Sequence, residues 1–215
     1  MTTQQPGAGN ALPVPILTVP GLDNSGPGHW QTLWEQRIPG CRRADLGNWA
    51  HPHRNSWVSR LGVAIHQAGA PVVLVAHSLG CLTVAWWAAM EGHAAAGLVR
   101  GALLVAPPRI DERPDCTRIA SFAPPPRAPL PFRSILVGSH DDSWCDFASA
   151  AQLAQDWGCE FVDAGEAGHL NAASGLGHWA VGQRLLARLM PAAEASCAPA
   201  IPFSRGGVEG AVRRW

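Results

Sequence analysis

Short uninterrupted apolar runs alternate along this chain with stretches whose apolar positions recur at helical spacing. Pro15-Ile-Leu-Thr-Val-Pro20 is the first run, closed by Pro-Gly, and reads as a buried strand. A glycine-rich turn spans Gly21 to Gly28, after which Trp30-Gln-Thr-Leu-Trp34 opens an amphipathic helix. Residues 42–46 are a candidate second strand. In residues 55–67, Trp57, Leu61, Ala64 and Ile65 fall at helical spacing. Val72-Val-Leu-Val-Ala76 is the clearest strand: it is apolar throughout, as expected when helices cover both faces of a sheet. Residues 79–90 are alanine-rich and apolar nearly all round, which predicts a central helix. Residues 101–106 and 134–138 are further buried strands. The proline-rich stretch between them, 107–132 with Pro124-Pro-Pro126, predicts a loop or excursion. Residues 147–157 read as a helix, 160–162 as a last short strand and 176–189 as a final helix.

This alternation predicts an α/β domain with about six mostly parallel strands and helices on both faces. The domain is expected to span residues 14–190. Residues 1–13 read as a flexible N-terminal tail, and residues 191–215, which lose periodicity, as a C-terminal tail of unknown role. No internal repeat is visible.

Composition narrows the class. A length of 215 residues fits one domain, and charged residues are only 15% with acidic and basic counts equal at 16, so a nucleic-acid partner is not expected. Every basic residue is arginine, which reads as coding bias. The ten tryptophans are expected mostly in the core, with a few lining a pocket. The six cysteines show no Cys-x-x-Cys spacing, no secretory leader is visible and no apolar run is long enough to span a bilayer. A cytoplasmic setting with free thiols and no membrane partner is the resulting expectation.

Candidate chemistry lies at the strand ends. Ala76-His-Ser-Leu-Gly80 sits where the strongest strand meets the central helix, and a tight strand-to-helix turn needs small residues two before and two after the serine. Ser78 is therefore a candidate nucleophile, and the Leu79 N–H at the helix N-terminus would face developing negative charge. A serine hydroxyl needs a base to take its proton. Ser139-His-Asp-Asp142 follows a later strand with two candidate acids, and Gly165-Glu-Ala-Gly-His169 follows the last with a glycine-flanked histidine.

These stretches resemble the α/β-hydrolases of the YdeN and retinoblastoma-binding-protein-nine type. The likeness rests on Pro20-Gly-Leu-Asp-Asn-Ser-Gly-Pro-Gly-His-Trp30, Ala76-His-Ser-Leu-Gly-Cys81, Ser139-His-Asp-Asp-Ser-Trp-Cys145 and Ala167-Gly-His-Leu-Asn171, with Trp49, Pro52 and Trp57 in keeping. It implies a compact α/β-hydrolase fold without a large lid and a Ser–Asp–His triad of Ser78, Asp142 and His169. The family's acid precedes a proline, an aromatic residue and often a cysteine. That aligns it with Asp142, although Ser143 replaces the proline and leaves Asp141 as the alternative. The second oxyanion donor of this fold comes from the loop after the first strand, which assigns the Leu22 N–H.

The expected activity is serine hydrolysis of an ester or amide bond in a small molecule, carboxylesterase-like, through an acyl-enzyme and with no metal or organic cofactor. Trp30, Trp49 and Trp144 are expected near the mouth. His29 reads as structural, His77 as pointing away from the site, His178 as helix packing, and His51 and His53 as surface residues. An interaction module on a hydrolase scaffold, or a haloperoxidase or lyase on the same triad, are the competing readings. Nothing in the sequence sets the oligomeric state.

Overall fold

The computed structural model describes residues 14–110 and 116–190, so the expected tails at 1–13 and 191–215 lie outside the described residues. Six parallel strands form one sheet: β1 (Ile16–Val19), β2 (Cys41–Arg43), β3 (Val72–His77), β4 (Val99–Val105), β5 (Arg133–Gly138) and β6 (Glu160–Asp163). Their order is β2-β1-β3-β4-β5-β6. The helices are α1 (Trp30–Arg37), α2 (Arg54–His66), α3 (Leu79–Glu91), the single turn α4 (Ala95–Leu98), α5 (Phe147–Asp156) and α6 (Ala180–Ala187).

Alternate strand residues face opposite sides, and each side makes its own core. Leu17, Val19, Leu74, Ala76, Leu104 and Leu136 pack with Trp57 and Leu61 of α2, Leu82 and Trp87 of α3 and Leu153 of α5. Ile16, Val73, Val75, Leu103, Val105 and Val137 pack on the other face with Trp30 and Trp34 of α1 and Leu185 and Leu186 of α6. This double cover is why the strands are apolar without alternation.

The direction in which strands are added across the sheet reverses between β1 and β3, since β2 lies on one side of β1 and all later strands on the other. In open α/β sheets, ligands bind at such a switch point, beyond the strands' carboxyl ends. The register aligns Val19 with Ala76, His77 with Val105 and Gly138 with Asp163, so the loops that follow emerge on one rim.

Three expectations change. The second strand is shorter than 42–46: Ala44 N–H still reaches Thr18 O, but Asp45 Oδ1 then accepts from Gly47 N–H in a turn. The final helix starts at Ala180, not 176, because Gly175, Gly177 and Trp179 all adopt positive φ. The Trp179 ring folds over Gly182, where a Cβ would lie 2.1 Å from it. The 107–132 excursion contains a 3₁₀ helix at Thr117–Phe122 that buries Ile119 and Phe122 in the α2–α3 core.

Candidate active site

Ser78 sits at a strained turn between β3 and α3. Its φ of 54° and ψ of −126° lie in a region that costs about 1–3 kcal/mol and needs surrounding support. Support comes from its N–H donating to Val105 O of β4 and from Cys81 N–H donating to its carbonyl, both at 2.9 Å. Two glycines let the neighbouring chain close in. A Cβ on Gly80 would sit 2.0 Å from Val19 O, and one on Gly21 would sit 2.7 Å from Ser78 Cβ and 3.1 Å from Leu79 N. The end of β1, the Gly21-Leu22 loop and the start of α3 therefore pack directly on the serine. Leu79 N–H, in the first turn of α3, has no intrahelical acceptor and lies at the positive end of the helix dipole.

Ser78, Asp142 and His169 meet on this rim. His169 Nε2 lies 2.9 Å from Ser78 Oγ, and its Nδ1 lies 2.9 Å from both carboxylate oxygens of Asp142. The Asp142 side chain is only 2% exposed and that of His169 10%, so the contact is shielded from water. Trp144 N–H donates to Asp142 Oδ1 at 2.8 Å and fixes the carboxylate. Asp141, the alternative acid, is exposed and does not bond the imidazole. It accepts instead from Gly168 N–H and from the Ser139 hydroxyl, bonds that hold its carboxyl below the usual range.

The loop carrying His169 is held from below. His77 Nε2 donates to His169 O at 2.9 Å, and Trp30 Nε1 donates to Leu170 O at 2.8 Å. His77 thus turns toward the site and not away from it, and Trp30 is a fully buried strut, not a mouth residue. Trp34 Nε1 adds a third bond, to His178 O, and His178 precedes the final helix. The Ser139 hydroxyl accepts from Ala167 N–H and donates toward Gly165 O, tying the loops after β5 and β6 together.

Three imidazoles meet edge to face beside the serine: His29 to His77 at 4.7 Å and His77 to His169 at 5.0 Å between ring centroids. His29 caps α1, its Nδ1 accepting from Gln31 N–H, while its buried Nε2 has no partner. Burial, then Arg43 and His169, pushes its pKa down to about 4. Burial does the same to His77, which stays neutral with its proton on Nε2.

The loop after β1 is pinned through polar contacts that the hydrophobic pattern does not reveal. Arg43 pairs with Glu35 at 2.9 Å and donates to Asn24 Oδ1, Ser25 O and Thr32 Oγ1. From the excursion, Arg118 grips both Asp23 oxygens and Ala50 O. Of the expected mouth tryptophans, Trp49 is half-buried against Trp57, whereas Trp144 is 39% exposed with its ring 5.7 Å from that of His169. His51 and His53 are exposed. Among the described residues no group of three or more His, Cys, Asp or Glu could hold a metal ion, and no helix is long and apolar enough to cross a membrane.

The chain belongs to the serine hydrolase family, whose model matches residues 16–188. It is 32% identical to a YdeN-like hydrolase from Pectobacterium atrosepticum, over 83% of this chain and 94% of that one, with a TM-score of 0.73. The ydeN gene product of B. subtilis shares the fold at 18% identity, over 82% and 98% of the two chains, with a TM-score of 0.66. A thermophilic esterase from Thermogutta terrifontis does so at 13% identity, over 83% and 91%, with a TM-score of 0.61. No curated protein sequence matches the chain. The protein is thus a YdeN-type α/β serine hydrolase.

Proposed function

We propose that this hydrolase is a carboxylesterase-type enzyme that cleaves esters of small apolar acyl groups through an acyl-enzyme on Ser78. The observation that carries the reading is His169 bridging Ser78 Oγ and the buried Asp142 carboxylate at 2.9 Å on each side. His169 Nε2 takes the hydroxyl proton as Ser78 Oγ attacks the carbonyl carbon. Asp142 keeps the imidazole proton on Nδ1 and stabilises the imidazolium. The Leu79 and Leu22 N–H groups receive the oxyanion, each donor contributing roughly 3–4 kcal/mol in comparable sites. Collapse of the tetrahedral adduct passes the proton from His169 to the leaving alcohol. Water, activated by the same base, then releases the acid and restores Ser78.

Trp144 supports the choice of an apolar acyl group, because an exposed indole beside the base offers a dry wall to the substrate. The fold-level likeness to an esterase agrees. The domain carrying this chemistry is residues 14–190, and no metal or organic cofactor enters the scheme. The test is labelling with a fluorophosphonate probe beside Ser78→Ala, with the modified residue mapped by mass spectrometry, followed by a panel of p-nitrophenyl esters and aminoacyl amides. Labelling at Ser78 with turnover of short esters is expected. A folded wild-type protein that takes no label, or a label that survives Ser78→Ala, refutes the nucleophile. Faster cleavage of the amides refutes the esterase assignment alone.

A further inference from the structure

A cleft of about 560 Å³ lies away from the triad. It lies at the sheet edge between β2 and α2, lined by Arg42 and Arg43 of β2, Asp45, Arg60 and Val63 of α2, and Leu17 of β1. We propose that this cleft binds a small amphiphilic carboxylate, an organic acid with a short apolar chain.

Charge is the first argument. Three guanidinium groups face one carboxylate, Asp45, in the lining. An excess of guanidinium over carboxylate in a concave wall beside low-dielectric protein concentrates positive potential on whatever enters. The three arginines are not equivalent. Arg43 spends its N–H groups on Glu35, Asn24, Ser25 and Thr32, so it contributes charge but few donors. Arg60 gives one nitrogen to Asp45 at 3.2 Å and is half exposed. Arg42 is exposed and makes no ion pair among the described residues. Arg42 and Arg60 therefore present guanidinium forks of the kind that match a carboxylate with paired bonds.

The second argument is the apolar wall. Val63 is 54% exposed on α2, beside Ala64 and above Leu17. A bare inorganic anion would leave that surface wet and most of the volume empty. A cleft of this size is in the range of organic-ligand sites. A carboxylate with a short alkyl chain satisfies both halves: its head on Arg42 and Arg60, its chain on Val63 and Ala64.

Amide chemical shifts of the full chain, titrated with hexanoate, 1-hexanol and inorganic phosphate, test this. Hexanoate is expected to move residues 41–46 and 60–67 and to saturate, with hexanol and phosphate at least about tenfold weaker there. The exposed-site variant Arg42→Ser with Arg60→Ser should weaken hexanoate about tenfold while the remaining spectrum keeps its dispersion. Binding of hexanol or phosphate equal to hexanoate overturns the proposal, as does an undiminished affinity in the variant. So does hexanoate that shifts only residues around Ser78. The wild-type comparison of the three ligands decides the matter even where the variant fails to fold.

Discussion

His29 is buried at the N-terminus of α1 with a pKa pushed down to about 4 from an ordinary 6.5, first by burial and then by Arg43 and His169. Between those two pH values the unfolded chain carries a proton on His29 that the folded protein does not. Folding stability must therefore fall as pH drops from 6.5 toward 4, by up to about 1.4 kcal/mol per pH unit from this group. Over the interval that amounts to about 3 kcal/mol, a large share of an ordinary domain's margin. His77, lowered for the same reason, adds in the same direction. Above pH 6.5 both states are neutral at His29, and the contribution no longer changes. The informative perturbation is His29→Asn, since asparagine is a good N-cap and its side-chain oxygen can replace Nδ1 as acceptor for Gln31 N–H. Urea midpoints and m-values between pH 4.5 and 8 then give stability against pH for both proteins. The variant's curve should be shallower by up to one proton below pH 6.5 and parallel above it. Parallel curves throughout would refute the reasoning, because they would mean that His29 titrates in the folded protein as it does in the unfolded chain.

Further outcomes follow from the rim. Asp142→Asn should cut kcat by about 10⁴-fold through loss of the correct His169 tautomer. Asp141→Asn, at a carboxylate that bonds Ser139 and Gly168 and not the imidazole, should leave most of the activity in the same ester assay. Gly80→Ala places a Cβ 2.0 Å from Val19 O, backbone against backbone, so soluble folded protein should be lost or its stability should fall by more than about 4 kcal/mol, read by thermal melting. Trp30→Phe leaves Leu170 O buried without its donor, a loss of about 1–3 kcal/mol by urea unfolding, with a drop in kcat as the His169 loop loosens.

What the chain reveals on reading, and what it hides, divides by range of interaction. The strands β3, β4 and β5 are legible because a sheet covered on both faces demands unbroken apolar runs, and each run supplies one. Gly80 is legible for a local reason too, as the turn at Ser78 needs a small residue on its far side. The start of the final helix reads less well. Helical spacing from 176 onward suggests one element, yet Gly175 and Gly177 take the left-handed backbone that glycine favours, and the packing of Trp34 and Trp30 on Trp179 sets where the helix begins. Arg118 and Arg43 are opaque in sequence. Their partners are fixed only once the excursion and β2 have packed beside the loop after β1.

The support of His169 shows why such residues escape a linear reading. Trp30 and Leu170 are separated by 140 positions, and His77 and His169 by 92. Each bond runs from a ring nitrogen to a backbone carbonyl, so the acceptor leaves no mark on the side chain at its own position. The signal that remains lies in the donors. The polar atom of a tryptophan or histidine that covers a sheet gains by finding a partner in the interior, and the free carbonyls there belong to irregular loops, since the strands use their own. Aromatic donors packed under the switch point, at 30, 34 and 77, therefore point to a loop held above them. In the proposed mechanism that loop carries the base: Trp30 and His77 hold its backbone while Asp142 holds the His169 ring.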